Sequence, residues 1–284
     1  MVDQPCLPCA AGEIKARRQR QLTSTVKVFI GGGPEHWLPA AVLANSIRRH
    51  TDRKLEIVPL LDVENSHPIP PEWKTKTPTA FSLQRFLIPA ACRYEGWGIY
   101  LDSDQIVLGD IGDLWNTEFP ELAKVLTTGG WQSAVMLIDC LKTRWDVNEL
   151  CRQMDAGLKY QKVSSLKFMN QAEVVGALDP RWNCMDELPK DGKPPLLLHM
   201  TAMATQPTAY RSHPLGDIWL NEFMACLESG FISPDDVIRE IELGYVRPGL
   251  RNVIDRGFVS PTEDDEYHAR YMKAGCRVDR MKRP

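Results

Sequence analysis

The sequence predicts an α/β fold in which a mixed, mostly parallel sheet is flanked by helices, Rossmann-like in its alternation. Three observations lead there. Short β-branched and apolar runs alternate with segments whose apolar residues recur at helical spacing. One run, AVMLI at 134–138, is apolar throughout, as strands buried on both faces are. Two acids and a histidine stand just past such runs, where sheets of this class bind ligands.

VKVFI (26–30) reads as the first strand and meets Gly31-Gly32-Gly33-Pro34, which ends it. Val42, Leu43 and Ile47 place a helix within 39–50, and 55–61 reads as a second strand, completing a β-α-β opening. Pro68, Pro70, Pro71 and Pro78 predict an irregular loop over 62–79. Leu83, Phe86, Leu87, Ala90, Ala91 and Tyr94 then share one helical face, with a kink expected at Pro89 and Arg85 off that face. GIYL (98–101) and 134–138 are further strands, and an amphipathic run occupies 140–154. PPLLL (194–198) leads into another buried strand that delivers His199 at its end. A helix over 215–228 stops at Gly230, and Ser233-Pro234-Asp235-Asp236 caps another that ends near Gly244.

With 284 residues, 43% of them hydrophobic, the chain supports one substantial core. The expected organisation is a flexible N-terminal extension at 1–23, a main domain at 24–232, and a C-terminal helical extension with a basic tail at 233–284. A net charge of -3 gives no global case for nucleic acid as a partner. No run approaches the roughly 20 apolar residues of a membrane span, and no secretory leader pattern opens the chain. No transmembrane segment and a cytoplasmic location are therefore expected. Eight scattered cysteines read as reduced thiols, and Cys6 and Cys9 fall in the extension without a second ligand pair.

The chemistry gathers at GIYLDSDQIV (98–107). Two carboxylates at i and i+2 past a buried strand repel, and one takes up a proton unless a cation joins them. A divalent metal on Asp102 and Asp104 is the simplest cation, and an imidazole from His199 tilts the choice from Mg²⁺ toward Mn²⁺. The plainer reading makes Asp102 a turn cap, Asp104 a solvated acid and His199 a hydrogen-bonded core histidine.

FSLQRFLIPAACRYEGWGIYLDSDQIVLGDIGDLW (81–115) resembles the donor-site segment of retaining glycosyltransferases of the GT-A fold, the group containing glycogenin and bacterial lipooligosaccharide galactosyltransferases. QSAVMLIDC (132–140), NQAEVVGALDPRWN (170–183) and LLHMTAMATQP (197–207) follow in that family's order. The resemblance implies a GT-A fold and a hexosyltransferase that moves a sugar from a nucleotide-diphosphate donor, a UDP-sugar by preference, to a hydroxyl acceptor. It implies Mn²⁺ (or Mg²⁺) on the Asp-x-Asp pair Asp102 and Asp104, with His199 as third ligand. Arg85 matches the arginine that approaches the donor, Ser103 lies inside the Asp-x-Asp, Gln132 and Ser133 match the segment touching the donor sugar, and Gln171 matches a glutamine beneath the anomeric carbon. Retention follows from the resemblance alone, and a neutral Gln171 favours front-face attack over a covalent intermediate.

The chain also departs from the pattern. Gly31-Gly32-Gly33-Pro34 replaces a base-recognising Asp, so the nucleotide base or ribose is expected to pack over this turn and be read by main-chain groups. A diphosphate-contacting Lys is absent after His199, which leaves Thr205, Gln206 and backbone amides, or the nearby cation Arg211, for that role. Trp37, Trp73, Trp97, Trp115 and Trp182 are candidates for a glycan-stacking platform, with the core as the plainer destination. Two alternatives stay open: a sugar-nucleotide-binding protein without turnover, and an aspartyl-phosphate phosphatase with Asp102 as nucleophile.

Overall fold

A computed structural model describes residues 24–79, 81–129, 132–257 and 261–273. The proposed extension at 1–23, with Cys6 and Cys9, and the tail from 274 lie outside the described residues. The chain opens with β1 (Val26–Gly31), α1 (Trp37–Arg49), β2 (Leu55–Pro59), α2 (Leu60–Ser66) and α3 (Pro71–Lys76). A 3₁₀ turn (Gln84–Leu87) leads into α4 (Ile88–Ala91), β3 (Trp97–Asp102), β4 (Gln105–Val107), α5 (Ile111–Trp115), β5 (Val125–Thr127) and β6 (Val135–Asp139). Then come α6 (Val147–Asp155), α7 (Tyr160–Ser164), β7 (Val174–Val175), β8 (Cys184–Met185) and β9 (Leu197–His199). Among the described residues the last elements are four helices: α8 (Gly216–Glu228), α9 (Pro234–Glu242), α10 (Gly249–Arg256) and α11 (Pro261–Lys273).

Among the described residues six strands form one sheet in the order β2-β1-β3-β6-β5-β7. β1 pairs in parallel with β2 and β3, β6 runs antiparallel to β3 and β5, and β7 is parallel to β5. Period-two alternation sorts the side chains. Phe29, Tyr100, Met136 and Ile138 pack with Phe86, Ile88 and Trp145. Val28, Ile30, Ile99, Leu101, Val135 and Leu137 pack with Leu43, Ile47 and Trp115 on the other side.

β4, β9 and β8 form a separate three-stranded sheet. His199 therefore does not end a strand of the main sheet, as its position after an apolar run had suggested. β9 pairs antiparallel with β4, which sets Gln105 opposite His199. A third core cluster lies against this small sheet, joining Leu38 and Val42 of α1 to Ile106, Leu198, Trp219, Phe223, Val237 and Leu250. α9 and α10 thus share a core with the first helix.

Several expected boundaries shift for local reasons. The second strand stops at Pro59, which lacks an N–H for the ladder, and α2 and α3 occupy much of the span expected to be irregular. Proline at the start of a helix is tolerated because that N–H has no partner there, which is how Pro71 opens α3. Pro89 likewise sits at the start of α4 instead of kinking a longer helix. Asp146 starts α6 late by accepting from the N–H groups of Asn148 and Glu149, so 140–146 is not helical.

Candidate metal centre

The centre forms where the chain crosses from one sheet to the other. β3 ends at Asp102, the turn holds Ser103 and Asp104, and β4 begins at Gln105. The antiparallel register then lays His199 beside that turn. One ligand atom each from Asp102, Asp104 and His199 lies within 4.8 Å of the others.

Asp102 falls two residues after Tyr100, so both point to the sheet face covered by the 84–87 turn. That placement brings in Arg85, the residue expected to lie off its helical face. Arg85 Nη2 sits 3.2 Å from Asp102 Oδ1, and Nη1 donates to Ser133 O at 2.8 Å and to Ser133 Oγ at 2.7 Å. Its guanidinium carbon stands 4.5 Å from the centroid of the Tyr100 ring, whose hydroxyl donates to Asp102 Oδ1. Burial opposes the charge on Arg85, yet Tyr100 and Asp102 hold its pKa above the ordinary value. Asp102 itself is pushed up by burial, with Asp104 adding to the effect and Arg85 opposing it.

Asp104 Oδ2 accepts from Gln206 Nε2 at 2.9 Å. Its Oδ1 is buried, with no partner besides His199 Nε2 at 3.2 Å. His199 Nδ1 is 2.8 Å from Asn183 Oδ1, an oxygen that only accepts, so Nδ1 carries a proton and, in the neutral ring, Nε2 presents a lone pair. In the neutral ring two acceptors therefore face each other. A proton or a metal ion between them resolves the conflict, and the oxygen–oxygen–nitrogen donor set suits Mg²⁺ or Mn²⁺. Burial works against charging the His199 ring, but Asp104, with Asp102 and Asp186, outweighs it and raises the pKa.

Asn183 was not singled out from the sequence, although it closes the motif at 170–183. Asn183→Leu is expected to release the His199 tautomer and weaken Mn²⁺ binding by about 10–100-fold, measured by titration of the purified protein. Affinity equal to wild type would show that Asn183 does not set the ring.

The remaining residues are less unified. Ser103 is buried, with its N–H bonded to Gly31 O at 3.2 Å. Gln132 is exposed, whereas Ser133 is buried beneath Arg85. Gln171 is exposed at the start of a 3₁₀ turn, Gln171–Glu173, and hydrogen-bonds to none of the three ligands. Arg211 pairs with Asp265, so its charge is already engaged. Trp73, Trp115 and Trp182 are buried in the core and Trp97 packs on Trp115, the plainer of the two destinations; Trp37 stays 37% exposed.

The glycine turn is held from within. Gln84 accepts from Gly32 N at 3.1 Å and donates to Gly32 O at 3.2 Å, and Gly33 N donates to His36 Nδ1 at 3.2 Å. Neither N–H is left for a ligand. Close packing accounts for two of the glycines: a Cβ on Gly31 would lie 2.5 Å from the buried Tyr100 hydroxyl and one on Gly32 2.9 Å from His36 Cβ. Beside Gly32 and Gly33 opens a mostly apolar cavity of about 690 Å³, lined also by Trp37, Ile57, Phe231 and Tyr245.

No protein-family model matches the chain. A stretch of 108 residues is 30% identical to Protein CDI of Arabidopsis thaliana, covering 36% of this chain and 42% of that protein, so the chain matches less than half the length of that curated relative. Solved structures are similar over more of the fold. The bifunctional glycosyltransferase WbbM aligns with a TM-score of 0.55 at 16% identity, over 73% of this chain and 51% of WbbM. The galactosyltransferase LgtC, solved with donor and acceptor sugar analogs, aligns with a TM-score of 0.53 at 14% identity, over 70% of this chain and 96% of LgtC. GlyE of Streptococcus pneumoniae aligns at 0.50 and 17% identity, over 74% and 65%. The fold is that of the GT-A glycosyltransferases. This gives the aspartyl-phosphate alternative no structural support, since Asp102 ends the third strand and its Oδ1 is engaged by Arg85 and Tyr100. No helix among the described residues is long and apolar enough to cross a membrane.

Proposed function

We propose that the protein is a metal-dependent glycosyltransferase that moves a sugar, a hexose by preference, from a nucleotide-diphosphate donor to a hydroxyl acceptor with retention. The observation that carries this reading is the convergence of Asp102, Asp104 and His199, with the buried Asp104 Oδ1 facing His199 Nε2, on a GT-A fold. Asp102, Asp104 and His199 would hold Mn²⁺ or Mg²⁺, which when bound supplies positive charge to a leaving diphosphate. Arg85 adds a fixed cation on the same side, oriented by Ser133 and Tyr100. Main-chain amides of the loop after His199 serve the phosphates in place of a lysine, since both hydrogens of Gln206 Nε2 go to Asp104 and Met200 O. The cavity beside Gly32 and Gly33 takes the base and ribose, read through side chains because the two N–H groups are occupied. UDP-sugars are the favoured donors, residues 24–232 form the catalytic domain, 233–284 extend it, and the protein works in the cytoplasm.

The deciding experiment is a screen of UDP- and GDP-sugars with purified protein, reading donor hydrolysis and transfer with and without Mn²⁺. Turnover that needs the ion supports the reading. Binding without turnover supports the second one, a sugar-nucleotide-binding protein, which the exposed and unpartnered Gln171 favours. For the enzyme, Gln171→Ala is expected to lower kcat by about tenfold while changing donor affinity little, because the amide would act on charge that develops only in the transition state. A matching loss in affinity with kcat intact would place Gln171 in ground-state binding.

A further inference from the structure

Two layers of contact run outward from Asp104. Gln206 Nε2 donates to Asp104 Oδ2 at 2.9 Å and to Met200 O at 2.8 Å, closing the Gln206 amide over the residue that follows His199. The next two carbonyls are taken by one residue: Arg247 Nε donates to Pro207 O at 2.7 Å and Arg247 N to Thr208 O at 2.8 Å. Asp264 Oδ2 in turn accepts from Arg247 Nη1 at 2.6 Å, and its Oδ1 accepts from Gly249 N at 3.2 Å. Arg247 and Asp264 are both wholly buried. The start of the same loop is held independently, with Asp186 accepting from Thr201 N at 2.9 Å and from Thr201 Oγ1.

A buried ion pair gives up two hydration shells and is weak evidence for stability by itself. Here the guanidinium spends a further donor on a loop carbonyl, and its planar fork fixes that carbonyl relative to the carboxylate. The consequence reaches the centre. With Oδ2 occupied by Gln206, Oδ1 is the oxygen left to face His199.

We propose that Arg247 and Asp264 are positioning residues for Asp104, acting through Pro207, Thr208 and the Gln206 amide to select which carboxylate oxygen is offered to a cation. The proposal rests on reading Asp102, Asp104 and His199 as a cation site. Arg247→Lys keeps the charge beside Asp264 but loses the fork. It is expected to bind Mn²⁺ about tenfold more weakly than wild type, read by electron paramagnetic resonance of the free ion. Amide exchange at Ala209 and Tyr210, whose N–H groups donate to Gln206 O at 2.7 and 2.8 Å, is expected to accelerate in the same variant. Combining Arg247→Lys with Gln206→Leu is expected to weaken Mn²⁺ binding no further than Gln206→Leu alone, because both act through one amide. Should Arg247→Lys not fold, the paired replacement Arg247→Met with Asp264→Leu removes the fork while filling the space with apolar groups. Unchanged amide exchange, or effects of the two substitutions that add in full, overturns the proposal. A wild-type protein that binds no Mn²⁺ overturns the cation reading instead, and amide exchange still decides whether Arg247 fixes Gln206.

Discussion

Asp104→Asn is expected to reduce metal-dependent turnover by about a thousandfold or more and to leave the protein folded. The two oxygens of Asp104 have different neighbours. Oδ2 accepts from the Gln206 amide, while Oδ1 has no partner besides His199 Nε2, which in the neutral ring presents a lone pair. An asparagine placed here turns its carbonyl to Gln206 and its NH₂ to His199. The repulsion between acceptors becomes a hydrogen bond, and the position a cation would take is filled by a donor. The melting temperature should therefore hold or rise in the absence of metal, while Mn²⁺ binding and catalysis fail together; loss of one well-placed electrostatic contact in a water-poor site costs about 10²–10³ in rate, and loss of the ion itself more. Full activity of the variant, or of wild type in excess chelator, would sink the metal-dependent reading.

Arg85→Ala carries the largest expected cost to stability. The guanidinium satisfies a main-chain carbonyl and a hydroxyl on Ser133, offsets the charge of Asp102 and covers the Tyr100 ring. Removing it leaves a mostly buried carboxylate without its cation, a change that costs about 3–5 kcal/mol. For a chain of this size that lowers the melting temperature on the order of 10 °C. Arg85→Lys should recover part of the stability through charge while losing the bidentate grip on Ser133. Calorimetry on the two variants tests this, and a melting temperature for Arg85→Ala within about 2 °C of wild type would show that water or a rotated side chain already compensates Asp102.

What could be read from the sequence divides along physical lines. Four strands of the main sheet, β1, β2, β3 and β6, were legible, most plainly where both faces are buried and the run is apolar throughout, as at 134–138, whereas the short β5 and β7 were not. Asp102 and Asp104 were legible as a pair because repulsion at i and i+2 follows from spacing alone. The second sheet was not. Its strands span two or three residues, too few for periodicity to separate them from turns, and the pairing of Gln105 with His199 is long-range. Helical spacing puts Arg85 off the apolar face, and only the resemblance marks it as a site residue, because the segment begins as a 3₁₀ turn, where the facing pattern differs. Asn183, Tyr100 and Gln84 escaped notice because each works through a partner distant in the chain or across the sheet, and a neutral hydrogen-bonding residue has no local signature until that partner is in place. The triple glycine reads as a ligand cradle, and the packing of Gly31 and Gly32 against Tyr100 and His36 could not be known from the turn alone.

The crossing of the chain between two sheets bears on the order in which the molecule assembles. Asp104 and Gln206 are 102 positions apart, and His199 reaches the acids only after β9 has docked on β4. Closing a loop of that length is slow relative to local structure, so the centre belongs to the late stages of folding. Before then the chain offers an incoming ion little more than two neighbouring carboxylates. Tight occupancy would therefore appear in a refolding experiment as a delayed event, tracking the joining of the sheets more closely than the earlier gain of helix.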